Sequence, residues 1–244
     1  MSDASNTNEI NEVWNILITR QLEIIKNRAC DEFIDGLRLL DLPQDRMPSI
    51  QEVSDKLEKI TGFRLEPVPE IISYDAFFNL LAERRFPCTT FLRTKEQLDY
   101  LKEPDVFHEV FGHSPLLTHP VYADFTHNYG KLGLNATEEE RVLLARLYWF
   151  TIEFGLINTS KGLRAYGGGI LSSPKETVYS VESPEPERRK FDVMEALTTP
   201  YEIDHIQPIY FVLDNFDQLY DLLDLDLMAM IRKVHTEEKP KFPC

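Results

Sequence analysis

The sequence predicts a mainly α chain with small β elements, folded as one domain. Three observations carry this. Apolar residues recur at steps of three and four over most of the chain, the period of a half-buried helix. Alternation at a period of two is confined to short stretches, which do not interleave with helices in the regular order of a parallel α/β sheet. The 244 residues are 43% apolar and 27% charged, enough for one sizeable core and ordinary for a globular chain.

Taken in order, residues 1–8 are polar and expected to be flexible, ahead of a folded domain over 9–235 and a loose tail over 236–244. Trp14, Leu17, Ile18, Leu22, Ile25 and Ala29 mark the first amphipathic helix, and Phe33, Ile34, Leu37 and Leu40 continue the period until Pro43 stops it. Ser49 with Glu52 forms a capping-box pattern ahead of Val53, Leu57 and Ile60, closed by Gly62. Residues 63–69 give a weak strand signal, 74–84 read as a helix and 88–93 as a short strand. Thr137 with Glu140 is a second capping box, opening a helix predicted to run to about Asn158. A strand follows over 207–213, then an acidic helix over 214–232. Its aspartates (Asp214, Asp217, Asp221, Asp224 and Asp226) alternate with Phe216, Leu219, Leu222 and Leu223, which reads as a solvated face.

The formal net charge of −15 argues against nucleic acid or an anionic membrane as partner, because phosphate binding needs clustered cations. The longest apolar runs, 209–213 and 227–231, are far too short to span a bilayer. The N-terminus lacks the basic and apolar regions of a secretory signal, and Cys30, Cys88 and Cys244 are widely spaced with no Cys-x-x-Cys. Both point to a reducing, cytoplasmic setting.

Two stretches carry the chemistry. In Pro104-Asp-Val-Phe-His-Glu-Val-Phe-Gly-His113, Pro104 suits a first helical turn and Asp105 its positive end. His108 and His113 are five apart. A zinc protease needs His-Glu-x-x-His, whose i, i+4 spacing aligns both imidazoles; at i, i+5 an ideal helix sets them about 140° apart. They can still share an ion if the backbone leaves the helix before His113, which Gly112 permits. In Leu147-Tyr-Trp-Phe-Thr-Ile-Glu153-Phe-Gly-Leu-Ile157, Glu153 is the lone acid in a mostly apolar helix. A buried carboxylate must find a proton or a cation. Arg146 lies two turns back on the same face, and a metal is the other candidate. Two imidazoles and a carboxylate leave about half of an octahedral shell open, as in non-haem Fe(II) oxygenases. Residue types alone equally admit zinc.

His108-Glu-Val-Phe-Gly-His113-Ser-Pro-Leu, then Tyr148-Trp-Phe-Thr-Ile-Glu-Phe-Gly-Leu156, then Ala165-Tyr-Gly-Gly-Gly-Ile-Leu-Ser-Ser173 together resemble the pterin-dependent aromatic amino acid hydroxylases, most closely the short bacterial members that act on phenylalanine. The similarity runs from about Val13 to Tyr220 with three motifs in order. It implies the single-domain catalytic fold of that family, with Fe(2+) on His108, His113 and Glu153. It also implies a tetrahydropterin (tetrahydrobiopterin or a bacterial analogue) as cosubstrate and O₂ as oxidant. Pterin contacts carry over onto Ile72, Tyr74, Phe77, Glu109, Ala145 and Tyr148, although Phe77 equally fits plain core packing.

Contacts to the amino acid carry over onto Arg93, Trp149, Gly169 and Ser172, with Arg93 as a bidentate clamp on the substrate carboxylate. The run Gly167-Gly-Gly169 lacks the Gly-Lys-Ser/Thr of a phosphate loop and reads as a close-approach loop beside the substrate. Ile203 aligns with an aliphatic residue in the phenylalanine-specific members and an acidic one in those acting on tyrosine. An apolar wall there suits an unsubstituted ring, so the implied substrate is L-phenylalanine and the implied product L-tyrosine. The same chemistry on L-tryptophan, or a metal-binding protein without turnover, are the alternatives. The resemblance further leads one to expect no regulatory domain and a monomer.

Overall fold

The computed structural model describes residues 2–237 except 70, 100 and 204, with side chains described from 7 to 236. Helix α1 (Ser2–Ile24) begins inside the stretch expected to be flexible, since neither Pro nor Gly interrupts it. Its apolar face buries Val13, Trp14, Leu17 and Ile18. Helix α2 (Asp31–Leu40) follows, and α3 (Ile50–Thr61) carries the predicted capping box at Ser49 and Glu52 and ends at Gly62 in the left-handed region.

Strand β1 (Arg64–Val68), helix α4 (Tyr74–Ala82) and strand β2 (Arg85–Thr89) form a parallel pair joined by a helical crossover. β2 starts three residues earlier than the sequence reading placed it and stops short of Arg93. A 3₁₀ turn (Lys95–Gln97) leads to a π-helical turn (His108–His113). Next come α5 (Ser114–Leu117), α6 (Pro120–Leu134) and α7 (Glu138–Tyr148), the last opened by the capping box of Thr137 and Glu140. α7 does not run to Asn158. It widens into a second π turn (Trp149–Glu153), and residues 156–159 have become a strand.

The second sheet has the order β4-β3-β6-β5. β3 (Leu156–Thr159) and β4 (Gly162–Ala165) make an antiparallel hairpin, while β5 (Glu187–Lys190) and β3 both flank β6 (Ile209–Leu213) in parallel. The sequence reading dismissed a parallel sheet. Parallel pairing is nonetheless frequent here, because short irregular helical crossovers replace regular βα repeats. Those crossovers include α8 (Gly168–Leu171), α9 (Pro174–Glu182) and α10 (Val193–Thr198). The predicted 214–232 helix is two, α11 (Asp217–Asp224) and α12 (Leu227–Glu237), with extended backbone at Leu225 between them. Asp217, Asp221 and Asp224 face solvent while Leu219 and Leu222 are buried. The tail beyond 237 lies outside the described residues.

The core is aromatic where it backs the first π turn. Phe107 stacks on Phe111 at 5.0 Å between centroids, Trp14 meets Phe107 edge-on at 5.5 Å, and Phe33 meets Phe111 at 5.9 Å. α1 and α2 thus press against the segment that carries both histidines, a well-packed backing for a site that must hold its geometry. Among the described residues no helix is long and apolar enough to cross a membrane.

Candidate metal centre and cofactor cavity

The i, i+5 spacing of His108 and His113 is resolved by the backbone itself. In a π turn the N–H of residue i+5 reaches the carbonyl of residue i; here Ser114 Oγ and N both close on the Glu109 carbonyl. The widened turn brings both imidazoles to one side, with Nε2 of His113 3.0 Å from Nε2 of His108. The chain therefore does not leave the helix at Gly112 as the sequence suggested. Gly112 serves close approach instead: a Cβ there would lie 2.7 Å from the Gly168 carbonyl oxygen.

Glu153 closes the second π turn, with Phe154 N bonded to the Trp149 carbonyl. Its Oε1 lies 3.1 Å from His113 Nε2 and its Oε2 3.6 Å from His108 Nε2. The ligand atoms of His108, His113 and Glu153 all fall within 4.8 Å of one another. Burial works to raise the Glu153 pKa, but the two imidazoles outweigh it and hold the carboxylate below its ordinary range. Arg146, the alternative partner, directs Nη1 to the Leu197 carbonyl.

The donor set fits an ion with open positions. Ligands about 2.1 Å from one ion and at right angles lie about 3 Å apart, whereas tetrahedral ones lie about 3.4 Å apart. Two of the observed spacings, 3.0 and 3.1 Å, match the right-angled case, while the third, 3.6 Å between His108 Nε2 and Glu153 Oε2, is wider. Protonation agrees. Burial, and then the charge of His113, pull His108 down to about 4, so its imidazole is neutral and able to ligate. Ser172 Oγ donates to the Gly168 carbonyl at 2.8 Å, so it can only accept from His108 Nδ1–H, 2.9 Å away. That hydrogen bond fixes the tautomer and leaves the Nε2 lone pair facing the other two ligands.

Ser172 therefore orients a ligand, a role the sequence reading did not give it. The glycine run behaves likewise. A Cβ on Gly168 would sit 2.4 Å from the His113 ring, and the Gly169 N–H hydrogen-bonds the Glu153 carboxylate. This loop backs the metal ligands, where the sequence reading set it beside the substrate.

A cavity of about 300 Å³ opens against the triad. Ile72, Tyr74, Phe77, Glu109, Ala145 and Tyr148 all line it, beside His108, Trp149 and Glu153. Val68, Ile71, Phe86, Pro87, Thr89 and Pro104 complete the wall. No motif flagged Val68, Phe86, Pro87 or Thr89, because β1 and β2 bring them in from distant sequence. Phe77 meets Tyr148 edge-on at 5.2 Å, which leaves it half-buried at the wall. Burial, reinforced by Glu153 and Asp105, pushes the Glu109 carboxyl up to about 8. The Tyr148 hydroxyl is buried without a protein partner.

The proposed amino-acid contacts divide. Trp149 lines the cavity, stacked on Tyr201 (4.7 Å) and in tilted contact with Phe154 (4.5 Å). Arg93 is buried and already paired: Nε and Nη2 grip the two Asp105 oxygens at 2.8 and 2.9 Å. Asp105 in turn accepts the His108 N–H at 3.0 Å. The pair thus caps the first π turn, and burial of Asp105 is outweighed by the guanidinium, which lowers its pKa. Ile203 is 43% exposed and does not line the cavity. It sits on a turn whose contacts the sequence could not show.

The family model of the biopterin-dependent aromatic amino acid hydroxylases matches residues 2–237. The chain belongs to this family. Within it, the phenylalanine-4-hydroxylase of Pseudomonas aeruginosa is 57% identical over 222 residues, 91% of this chain and 84% of its own length. The apo structure of the cold-active phenylalanine hydroxylase from Colwellia psychrerythraea has a TM-score of 0.92 at 50% identity, covering 94% of this chain and 89% of that one. The Chromobacterium violaceum phenylalanine hydroxylase, solved with iron(III) and the oxidised cofactor 7,8-dihydrobiopterin, has a TM-score of 0.89 at 47% identity, covering 93% and 82%.

Proposed function

We propose that this hydroxylase converts L-phenylalanine to L-tyrosine with Fe(II), a tetrahydropterin and O₂. The observation that carries it is the joining of a facial His108–His113–Glu153 donor set to a cavity lined by all six residues assigned to the pterin. When bound, iron and the reduced pterin supply the electrons that let one oxygen atom of O₂ enter the aromatic ring.

The protein's own groups bind, orient and exclude water. His108, His113 and Glu153 hold the metal, and Ser172 and the Arg93–Asp105 pair keep His108 aimed at it. Phe77 offers its ring to the flat pterin. Burial pushes the Glu109 carboxyl above its ordinary range, and its oxygens face the pterin's amino edge. Tyr148 lines the same space, its hydroxyl buried without a protein partner. Trp149 supplies the wall for the substrate ring. Asp105 occupies the inner fork of Arg93, so the substrate carboxylate meets only its outer edge. Apolar walls such as Val68, Phe86 and Pro87 keep bulk water out.

The test is anaerobic loading with Fe(II), followed by O₂, a tetrahydropterin and equal amounts of phenylalanine and tryptophan. Tyrosine formed only when iron and pterin are both present is the expected result. Hydroxytryptophan as main product would replace the substrate. No product from folded, iron-loaded protein would overturn the reading.

A further inference from the structure

One side-chain amide joins the cavity wall to the backbone at Glu202 and His205. Gln207 is 1% exposed. Its Oε1 accepts the Trp149 indole N–H at 3.1 Å, and its Nε2 donates to the Glu202 carbonyl at 2.7 Å and the His205 carbonyl at 2.9 Å. The orientation of this amide is chemically forced, because an indole only donates and a carbonyl only accepts. Among uncharged side chains, only another carboxamide accepts from the first partner while donating twice to the others.

The amide is itself held from below. The Gln207 backbone N–H donates to Glu176 Oε1 at 3.1 Å, and the Tyr210 hydroxyl donates to the same oxygen. Glu176 is 6% exposed and stands on α9, directly after Ser172, the residue that fixes His108. Trp149 packs against the Tyr201 and Phe154 rings, and Gln207 adds the hydrogen bond that fixes where its indole N–H points. Tyr201 and Ile203 flank Glu202, whose carbonyl the Gln207 amide holds.

We propose that Gln207 is a specificity-determining positioning residue: by fixing the Trp149 indole to the backbone carbonyls of Glu202 and His205, it sets which aromatic amino-acid ring the wall accepts. This rests on the hydroxylase reading above and deepens it. Selectivity then belongs to Trp149 and the groups that hold it, while Ile203 lies off the cavity. Glu176 keeps Gln207 in register, and Glu176→Gln, which retains an acceptor at the same place, leaves selectivity unchanged.

The experiment compares wild type, Gln207→Met, Trp149→Phe and the double variant, each loaded with Fe(II). Readouts are kcat and KM for phenylalanine and for tryptophan, together with the fluorescence of Trp149 against the only other tryptophan, Trp14. Gln207→Met is expected to change the phenylalanine-to-tryptophan ratio of kcat/KM about five- to tenfold, the loss of roughly one buried hydrogen bond. The change falls mainly on KM, with iron content unchanged and Trp149 emission shifted. In the double variant the two effects should not add, because Gln207 acts through Trp149.

Should Gln207→Met fail to fold, Gln207→Asn replaces it, pulling the same amide one methylene away from the indole. A folded Gln207 variant with wild-type selectivity and wild-type Trp149 emission would overturn the proposal, as would strictly additive effects. Wild-type turnover in the same assay tests the hydroxylase reading separately. If wild type made no hydroxylated product, that reading would fail, while the shift in Trp149 emission would still report whether Gln207 positions the indole.

Discussion

A metal ligand is only as good as the group behind it. His108 has one imidazole nitrogen for the ion and one for Ser172, and the Ser172 proton is already committed to the Gly168 carbonyl. Removing that hydroxyl frees the ring to rotate or to take the wrong tautomer. Ser172→Ala should weaken Fe(II) binding by about 10- to 100-fold, the usual cost of losing a hydrogen-bond partner behind a ligand. Anaerobic Fe(II) titration against a competing chelator measures this directly. Phenylalanine KM at saturating iron should move much less. The opposite result, normal iron affinity with a large rise in KM, would return Ser172 to the substrate contact that the family resemblance implied.

Helices that widen into π turns explain both what the sequence disclosed and what it hid. The ligand residues were legible: His108 and His113 stood out as a histidine pair, and Glu153 as a lone acid in an apolar helix. Their geometry was not. A spacing of five is out of register on an α-helix, and nothing local in His-Glu-Val-Phe-Gly-His announces the wider turn. Tertiary contacts impose it, through Phe107 and Phe111 packed on Trp14 and Phe33. The second π turn ended α7 early for the same reason, since Glu153 must face the histidines. Capping boxes at Ser49 and Thr137 were legible because they are purely local. β2 slipped by three residues because its pairing with β1 is not. The Arg93–Asp105 pair spans twelve residues, and without the fold Arg93 looked available to a substrate. The glycine loop gives a prediction at this scale. α8 lies against the first π turn so closely that a methyl on Gly168 would meet the His113 ring at 2.4 Å. Gly168→Ala should destabilise the fold by about 1–3 kcal/mol, as overpacking does, and lower iron occupancy as well. Urea unfolding of the metal-free variant separates the two effects. Unchanged stability together with full iron loading would show that the loop yields easily.

At the scale of the molecule, the centre is a clasp between separate parts of the chain. His108 and His113 come from the turn backed by α1 and α2, Glu153 from the end of α7, and the supporting Ser172 from the loop after α8. These segments are distant in sequence and meet where the two Nε2 atoms lie 3.0 Å apart and Glu153 Oε1 lies 3.1 Å from His113 Nε2. A cation there is held by all three side chains and binds only the folded chain. Fe(II) at 100 times its Kd should therefore add about 2.7 kcal/mol of stability, a rise of about 5–10 °C in Tm for a chain of this size. Anaerobic calorimetry with and without Fe(II) gives the shift, and a chelator should reverse it. Glu153→Ala loses one ligand but also a buried charge, so it should unfold at close to the metal-free wild-type Tm and show little response to Fe(II). If the variant responded as strongly as wild type, Glu153 would not be a ligand. If neither responded while both bound iron, the metal would be seated on groups that the unfolded chain presents equally well, and the two π turns would owe their shape to packing alone.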